Sequence, residues 1–125
     1  MNIKVRNYLI ELARQKVNQT VTYQKLSDDC GLNFNMRENP YDRKMLGEIL
    51  GDISVYEFEN YERPLLSALV LRAGDNYEGD GFYKLAENLG FGKWQKLKND
   101  AVFEAIQIRE CIKFWSNDKN YYDYK

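Results

Sequence analysis

The chain has 125 residues, 18 of them basic and 19 acidic, with no histidine and a net charge of −1. That length suits one domain burying roughly two-thirds of its unfolded surface, and a hydrophobic fraction of 44% with only two prolines sets it apart from disordered chains. Near-neutral charge gives no global field for gathering DNA or an anionic membrane, and the missing histidines exclude Ser-His-Asp and Cys-His catalysis and histidine-bearing zinc sites.

The opening Met1-Asn2-Ile3-Lys4-Val5-Arg6 has charges but no long apolar region behind them, so no signal peptide is expected. Ile3, Leu9, Ile10, Leu12, Ala13 and Val17 recur at helical spacing with Arg6, Glu11, Arg14 and Lys16 between them, which predicts an amphipathic helix over 3–17. A brief extended piece follows at 19–22, and Thr22 suits an N-cap for a helix over 23–30 that Gly31 closes.

Asn39-Pro40-Tyr41-Asp42 is the clearest helix start: asparagine caps, proline takes the first helical position and an acid follows in the first turn. This helix is expected to reach Phe58, with Leu46, Ile49, Leu50, Ile53 and Tyr56 as its apolar face. Gly47 and Gly51, four apart, would let another backbone approach closely. The apolar run 64–71, bounded by Pro64 and by Gly74-Asp75-Asn76, predicts a buried strand, with a helix as the alternative. It is too short to cross a membrane, which takes about twenty residues.

Gly79-Asp80-Gly81 makes a turn whose Asp80 caps a helix over 82–89 ending at Gly90. A last helix over 100–115 presents Phe103, Ile106, Ile108, Ile112 and Trp115. The expectation is a single domain over 1–125, with 115–125 a polar, tyrosine-rich tail. Its fold class is mostly α with a small β element (α+β), and the order helix, strand, helix, helix, strand is winged-helix-like, without an evident third strand.

Two segments, Arg63-Pro64-Leu65-Leu66-Ser67-Ala68-Leu69-Val70 and Gly79-Asp80-Gly81-Phe82-Tyr83-Lys84-Leu85-Ala86-Glu87-Asn88-Leu89-Gly90, resemble a family of small uncharacterised bacterial and mobile-element proteins sharing R-P-L-L-S-A-L-V and G-x-G-F-x-x-L-A-x-x-L-G. The resemblance covers residues 20–90 and implies a setting of phage or mobile-element conflict with a bacterial host, but no activity. Thr22-Tyr23-Gln24-Lys25-Leu26 is similar to the first short helix of the winged domain in DNA alkyltransferase-like proteins. The strand after it lacks their Pro-Cys-His-Arg motif, which excludes alkyl transfer.

Cys30 and Cys111 are expected as buried reduced thiols, and two cysteines cannot supply a four-cysteine metal site. Asp75, Glu78 and Asp80 form the best candidate for a calcium or magnesium site, but their spacing fails the EF-hand pattern, and a solvated turn with no metal is the expectation. Glu57, Glu59 and Glu62 near Arg63 are expected to fix a corner through an ion pair. No cofactor is implied, and carboxylate chemistry with a divalent metal is the remaining enzymatic alternative.

Tyr121, Tyr122 and Tyr124 sit in the polar tail, and tyrosine is enriched at protein interfaces. They are the candidate partner-binding residues of a cytoplasmic, non-enzymatic protein-binding module, an inhibitor or accessory factor acting on a host or phage protein. The alternative partner is nucleic acid, through Tyr23, Lys25, Arg37, Arg43 and Lys44 around a recognition helix. Asp28, Asp29, Glu38, Asp42 and Glu48 oppose it by repelling phosphates.

Overall fold

A computed structural model describes residues 1–74 and 78–125 and shows a mostly helical α+β chain. Helix α1, Ile3–Arg14, is capped by Asn2, whose Oδ1 accepts the Val5 N–H at 3.0 Å. It buries Val5, Leu9, Ile10, Leu12 and Ala13, but stops before Val17, which is 67% exposed rather than on the apolar face. Strand β1, Val21–Thr22, leads into α2, Tyr23–Asp29, with Thr22 Oγ1 accepting the Lys25 N–H at 3.2 Å. Gly31 takes the left-handed φ of +67° just beyond, a conformation only glycine adopts freely.

Helix α3, Pro40–Tyr61, begins as the sequence dictates, with Asn39 Oδ1 accepting the Tyr41 and Asp42 N–H groups. It runs past Phe58 to Tyr61. Leu46, Leu50, Ile53, Ser54 and Glu57 make its buried stripe, while Ile49 and Tyr56 are only half-buried.

The run expected as a strand is mostly a 3₁₀ segment, Leu66–Leu69, and only Val70–Leu71 form strand β2. The reason lies in who supplies the hydrogen bonds. Among the described residues no strand lies beside 65–69, so side chains from flanking helices serve its buried backbone instead. Gln107 Oε1 accepts the Leu65 N–H at 3.0 Å, Cys111 Sγ donates to the Leu65 carbonyl at 3.3 Å, and Ser54 Oγ accepts the Ser67 N–H at 3.1 Å. β1 and β2 pair in parallel, Val21 with Val70 and Thr22 with Leu71. A wing needs an antiparallel hairpin, and the described residues contain none.

Helix α4, Asp80–Asn88, has Gly79 as its N-cap residue; Asp80 is its first residue, not its cap, and pairs at 2.6 Å with Lys98. Lys98 belongs to α5, Trp94–Asp100, a helix the apolar pattern did not announce. Ala101 breaks the chain with a φ of +55°, so α6 starts at Phe103 and runs to Ser116. Its buried positions are Gln107, Cys111 and Trp115, and Ile106 is 39% exposed. The tyrosine-rich tail is helical too: α7, Asp118–Tyr124, capped by Asn117.

Two apolar clusters result. An aliphatic one joins α1, α2, α3 and β2 around Trp115, and an aromatic one gathers Leu65, Ala68, Phe82 and Tyr83 with Phe58, Phe91, Trp94 and Phe103. Within this interior, Glu57 is fully buried between two arginines. Arg6 Nε meets its Oε1 at 2.6 Å and Arg63 Nε bonds its Oε2. Arg6 also donates to the Tyr124 carbonyl at 2.9 Å, which ties α7 to the core. No helix among the described residues is long and apolar enough to cross a membrane.

Candidate partner-binding groove

An open groove of about 860 Å³ runs between the N-terminal half of α3 and the length of α4. α2, the loop before α3, and Arg72 and Ala73 after β2 complete the lining. Side chains fix the loop: Gln24 Nε2 donates to the Phe34 carbonyl at 2.8 Å and its Oε1 accepts the Met36 N–H at 2.9 Å. Arg43 Nη1 donates to the Met36 carbonyl at 2.7 Å. Met36 and Arg37 are thereby held at the groove mouth rather than left on a free loop.

The α3 wall is bare where it matters. A Cβ built on Gly47 or Gly51 would meet nothing within 4 Å, and the same holds for Gly81 on the α4 side. Leu50, Phe82 and Leu85 supply apolar lining. Arg37, Arg43, Lys44, Arg72 and Lys84 surround it, against Glu48 as the one acid in the lining among the described residues. Among the described residues no ion pair occupies Arg37, Arg43, Lys44 or Lys84; Lys84 Nζ lies 5.0 Å from the centre of the Trp94 ring. Tyr23 forms part of the end wall, and burial pushes its phenol up to about 12, with Glu78 adding to the rise. It faces the groove as a neutral hydroxyl.

The fold brings together four of the five residues expected for nucleic acid: Tyr23, Arg37, Arg43 and Lys44 all line the groove. Lys25 does not. It pairs with Asp29 at 3.1 Å and lines a separate depression of about 420 Å³ beside Tyr8 and Glu11.

The three tail tyrosines differ in exposure, and the rings of Tyr121 and Tyr122 meet edge to face at 5.5 Å. Tyr121 is half-buried, donates to Glu11 and lies under the Arg14 guanidinium at 4.0 Å. Tyr124 stacks on Phe114 with ring centres 6.1 Å apart, and Tyr122, 79% exposed, is the freest of the three.

Of the acids of the candidate metal turn, the two described ones, Glu78 and Asp80, diverge. Asp75 lies outside the described residues, Asp80 is exposed on Lys98, and Glu78 is buried, 1% exposed. No group of three or more Asp, Glu or Cys residues is arranged to hold a metal ion among the described residues. Glu78 instead couples to Glu104, which no spacing rule had linked to it. Among the described residues, both Glu78 oxygens and Glu104 Oε2 are buried without a hydrogen-bond partner. Burial, and then the Glu104 charge, push the Glu78 carboxyl up to about 10, so at neutral pH it is a protonated acid. It is not part of the groove lining.

Arg72 and Lys84 are the groove cations the sequence reading missed. For Lys84 a signal existed, because Gly81, Lys84, Leu85 and Asn88 share one helical face across from α3. Arg72 carries none, since only the pairing of β1 with β2 brings it beside Tyr23. No family model matches the chain, and no curated protein or solved structure does.

Proposed function

We propose that this protein is a non-enzymatic binding module that engages a partner protein through the groove between α3 and α4. The groove itself carries the reading: an apolar channel with cations on its rim, walled by two helices. Cations outnumber acids among its described charged groups, while the protonated Glu78 is buried and outside the lining. The likeness of segments 63–70 and 79–90 to mobile-element proteins supports an inhibitor or accessory factor acting in a bacterial cytoplasm. Tyr122, exposed and outside the groove lining, is a second candidate contact.

The test compares tagged wild-type protein with Gly51→Leu in capture from nuclease-treated bacterial lysate. Leucine fills open space at that position and replaces a poor helix former, so the variant should melt no lower than wild type. A protein held by the wild type and lost by the variant supports the reading. Equal capture by both removes the groove from it.

A nucleic-acid reading is favoured by one observation, the convergence of Tyr23, Arg37, Arg43 and Lys44. It predicts affinity for DNA that falls steeply with salt and on Lys44→Ala. Arg43→Ala is the poorer probe, because Arg43 also holds the groove-mouth loop.

A further inference from the structure

Both walls of the groove are helices, and their main-chain groups are spent on their own ladders. An extended peptide laid between them would find no row of free donors and acceptors, whereas a helix satisfies its own backbone and asks only for apolar contact. The strands beside it offer little edge, since β1 and β2 are two residues each. Met36 and Leu85, half-buried in the lining, provide the apolar contact over the buried Leu50 and Phe82. Gly47 and Gly51 lie one turn apart with open space before them, so a second helix can come closer to α3 here than side chains would allow. The rim selects charge: Arg37, Lys44 and Lys84 face the groove with no ion pair among the described residues, against a lone Glu48.

We infer that the groove takes an acidic amphipathic α-helix of the partner, with its apolar face on Met36 and Leu85, a small residue against Gly47 and Gly51, and carboxylates towards Arg37, Lys44 and Lys84. α4 has nine residues and rises about 1.5 Å per residue, so the contact spans two to three turns of the partner. This rests on the groove being the binding surface, and it adds the partner's chemistry and conformation.

The experiment is fluorescence anisotropy on the full chain with four labelled probes. They are a helical peptide of glutamate, alanine and leucine with one apolar face, the same composition scrambled, a lysine-for-glutamate version, and a single-stranded oligonucleotide. The amphipathic acidic peptide should bind saturably, lose at least about tenfold in affinity to the double variant Arg37→Glu, Lys44→Glu, and lose binding altogether to Gly51→Leu, whose melting temperature confirms its fold. If the scrambled acidic peptide or the oligonucleotide binds as well and is lost in Gly51→Leu, the groove stands and the acidic helix is overturned. Binding of the amphipathic peptide that survives Gly51→Leu places it elsewhere and sinks both readings. No saturable binding by any probe overturns the acidic helix alone, and capture by wild type over Gly51→Leu then decides the groove independently.

Discussion

Glu57 and Glu78 are both essentially excluded from solvent, at 0% and 1% exposure, yet the fold treats them in opposite ways. Glu57 sits between Arg6 and Arg63, with one oxygen to each guanidinium. Glu78 has no hydrogen-bond partner for either oxygen among the described residues and faces the charge of another carboxylate, Glu104. Burial alone therefore does not decide what a carboxyl becomes. An ion with two bonded counter-ions can stay charged in the interior, while one left with a like charge takes up a proton. The first arrangement joins three parts of the chain, α1, α3 and the corner after α3, and the second joins none.

The largest effect expected from this contrast comes from Glu57→Gln. Removing the charge leaves two buried arginines against each other, and breaking a buried pair in this way costs about 3–5 kcal/mol. Urea denaturation of the variant measures it. Converting all three residues to apolar side chains of similar volume should recover most of the loss, as happens when buried ionic clusters are replaced together. A loss below about 1 kcal/mol for Glu57→Gln would mean that solvent reaches the cluster, and the comparison with Glu78 would fail.

Glu78→Gln should act in the opposite direction and only over part of the pH range. The folded-state value is raised to about 10 from an ordinary 4.5. Below 4.5 the group is protonated whether the chain is folded or not, and its contribution to stability is fully present. As pH rises from there towards 10 the unfolded chain gives up its proton while the folded chain keeps it, so stability falls by at most about 1.4 kcal/mol per pH unit. Glutamine cannot titrate. The variant should match wild type near pH 4 and become progressively the more stable of the two up to pH 10, in denaturant titrations at a series of pH values. Parallel curves would show that Glu78 reaches solvent or a donor.

The two glutamates were not equally readable in the sequence. Glu57 lies six positions before Arg63 across a helix end, so an ion pair at that corner could be expected from spacing alone, although Arg6 could not. Glu78 looked like part of an acidic turn, and its coupling to Glu104 depends on the packing of α6 against the segment before α4, which no local pattern encodes. The same division holds for the fold. Asn39-Pro40 and Thr22 mark helix starts through their own capping chemistry, and both starts are where they were expected. The 3₁₀ segment was illegible because Gln107, Cys111 and Ser54, from distant helices, serve its backbone. α5 escaped because it is seven residues long and turns only Trp94 and Leu97, both half-buried, to the aromatic cluster. In the groove, Arg37, Arg43 and Lys44 could be read as one basic region, while Arg72 arrives there only through strand pairing.

Glu104→Gln gives a smaller effect that separates the two causes acting on Glu78. Burial comes first and the Glu104 charge second, so removing the charge should lower the upper edge of the pH window without abolishing it. The readout is the pH at which the stability difference between Glu104→Gln and the double variant with Glu78→Gln stops growing. If the window closes completely, the neighbouring charge rather than burial holds the proton on Glu78.

The smallest effect belongs to an ion pair outside the interior. Lys98 and Asp80 meet at 2.6 Å, about as close as Arg6 and Glu57, but their side chains are 44% and 49% exposed. Water screens both charges before and after the contact forms, so Lys98→Met should cost less than about 1 kcal/mol. That cost should vanish in molar salt, where the screening length is about 3 Å. The Glu57→Gln loss, measured in the same salt, should persist, because mobile ions do not enter the space between Arg6 and Arg63. Equal salt dependence in the two variants would show that distance, not burial, governs both pairs, and would remove the basis for treating the interior cluster as a separate kind of contact.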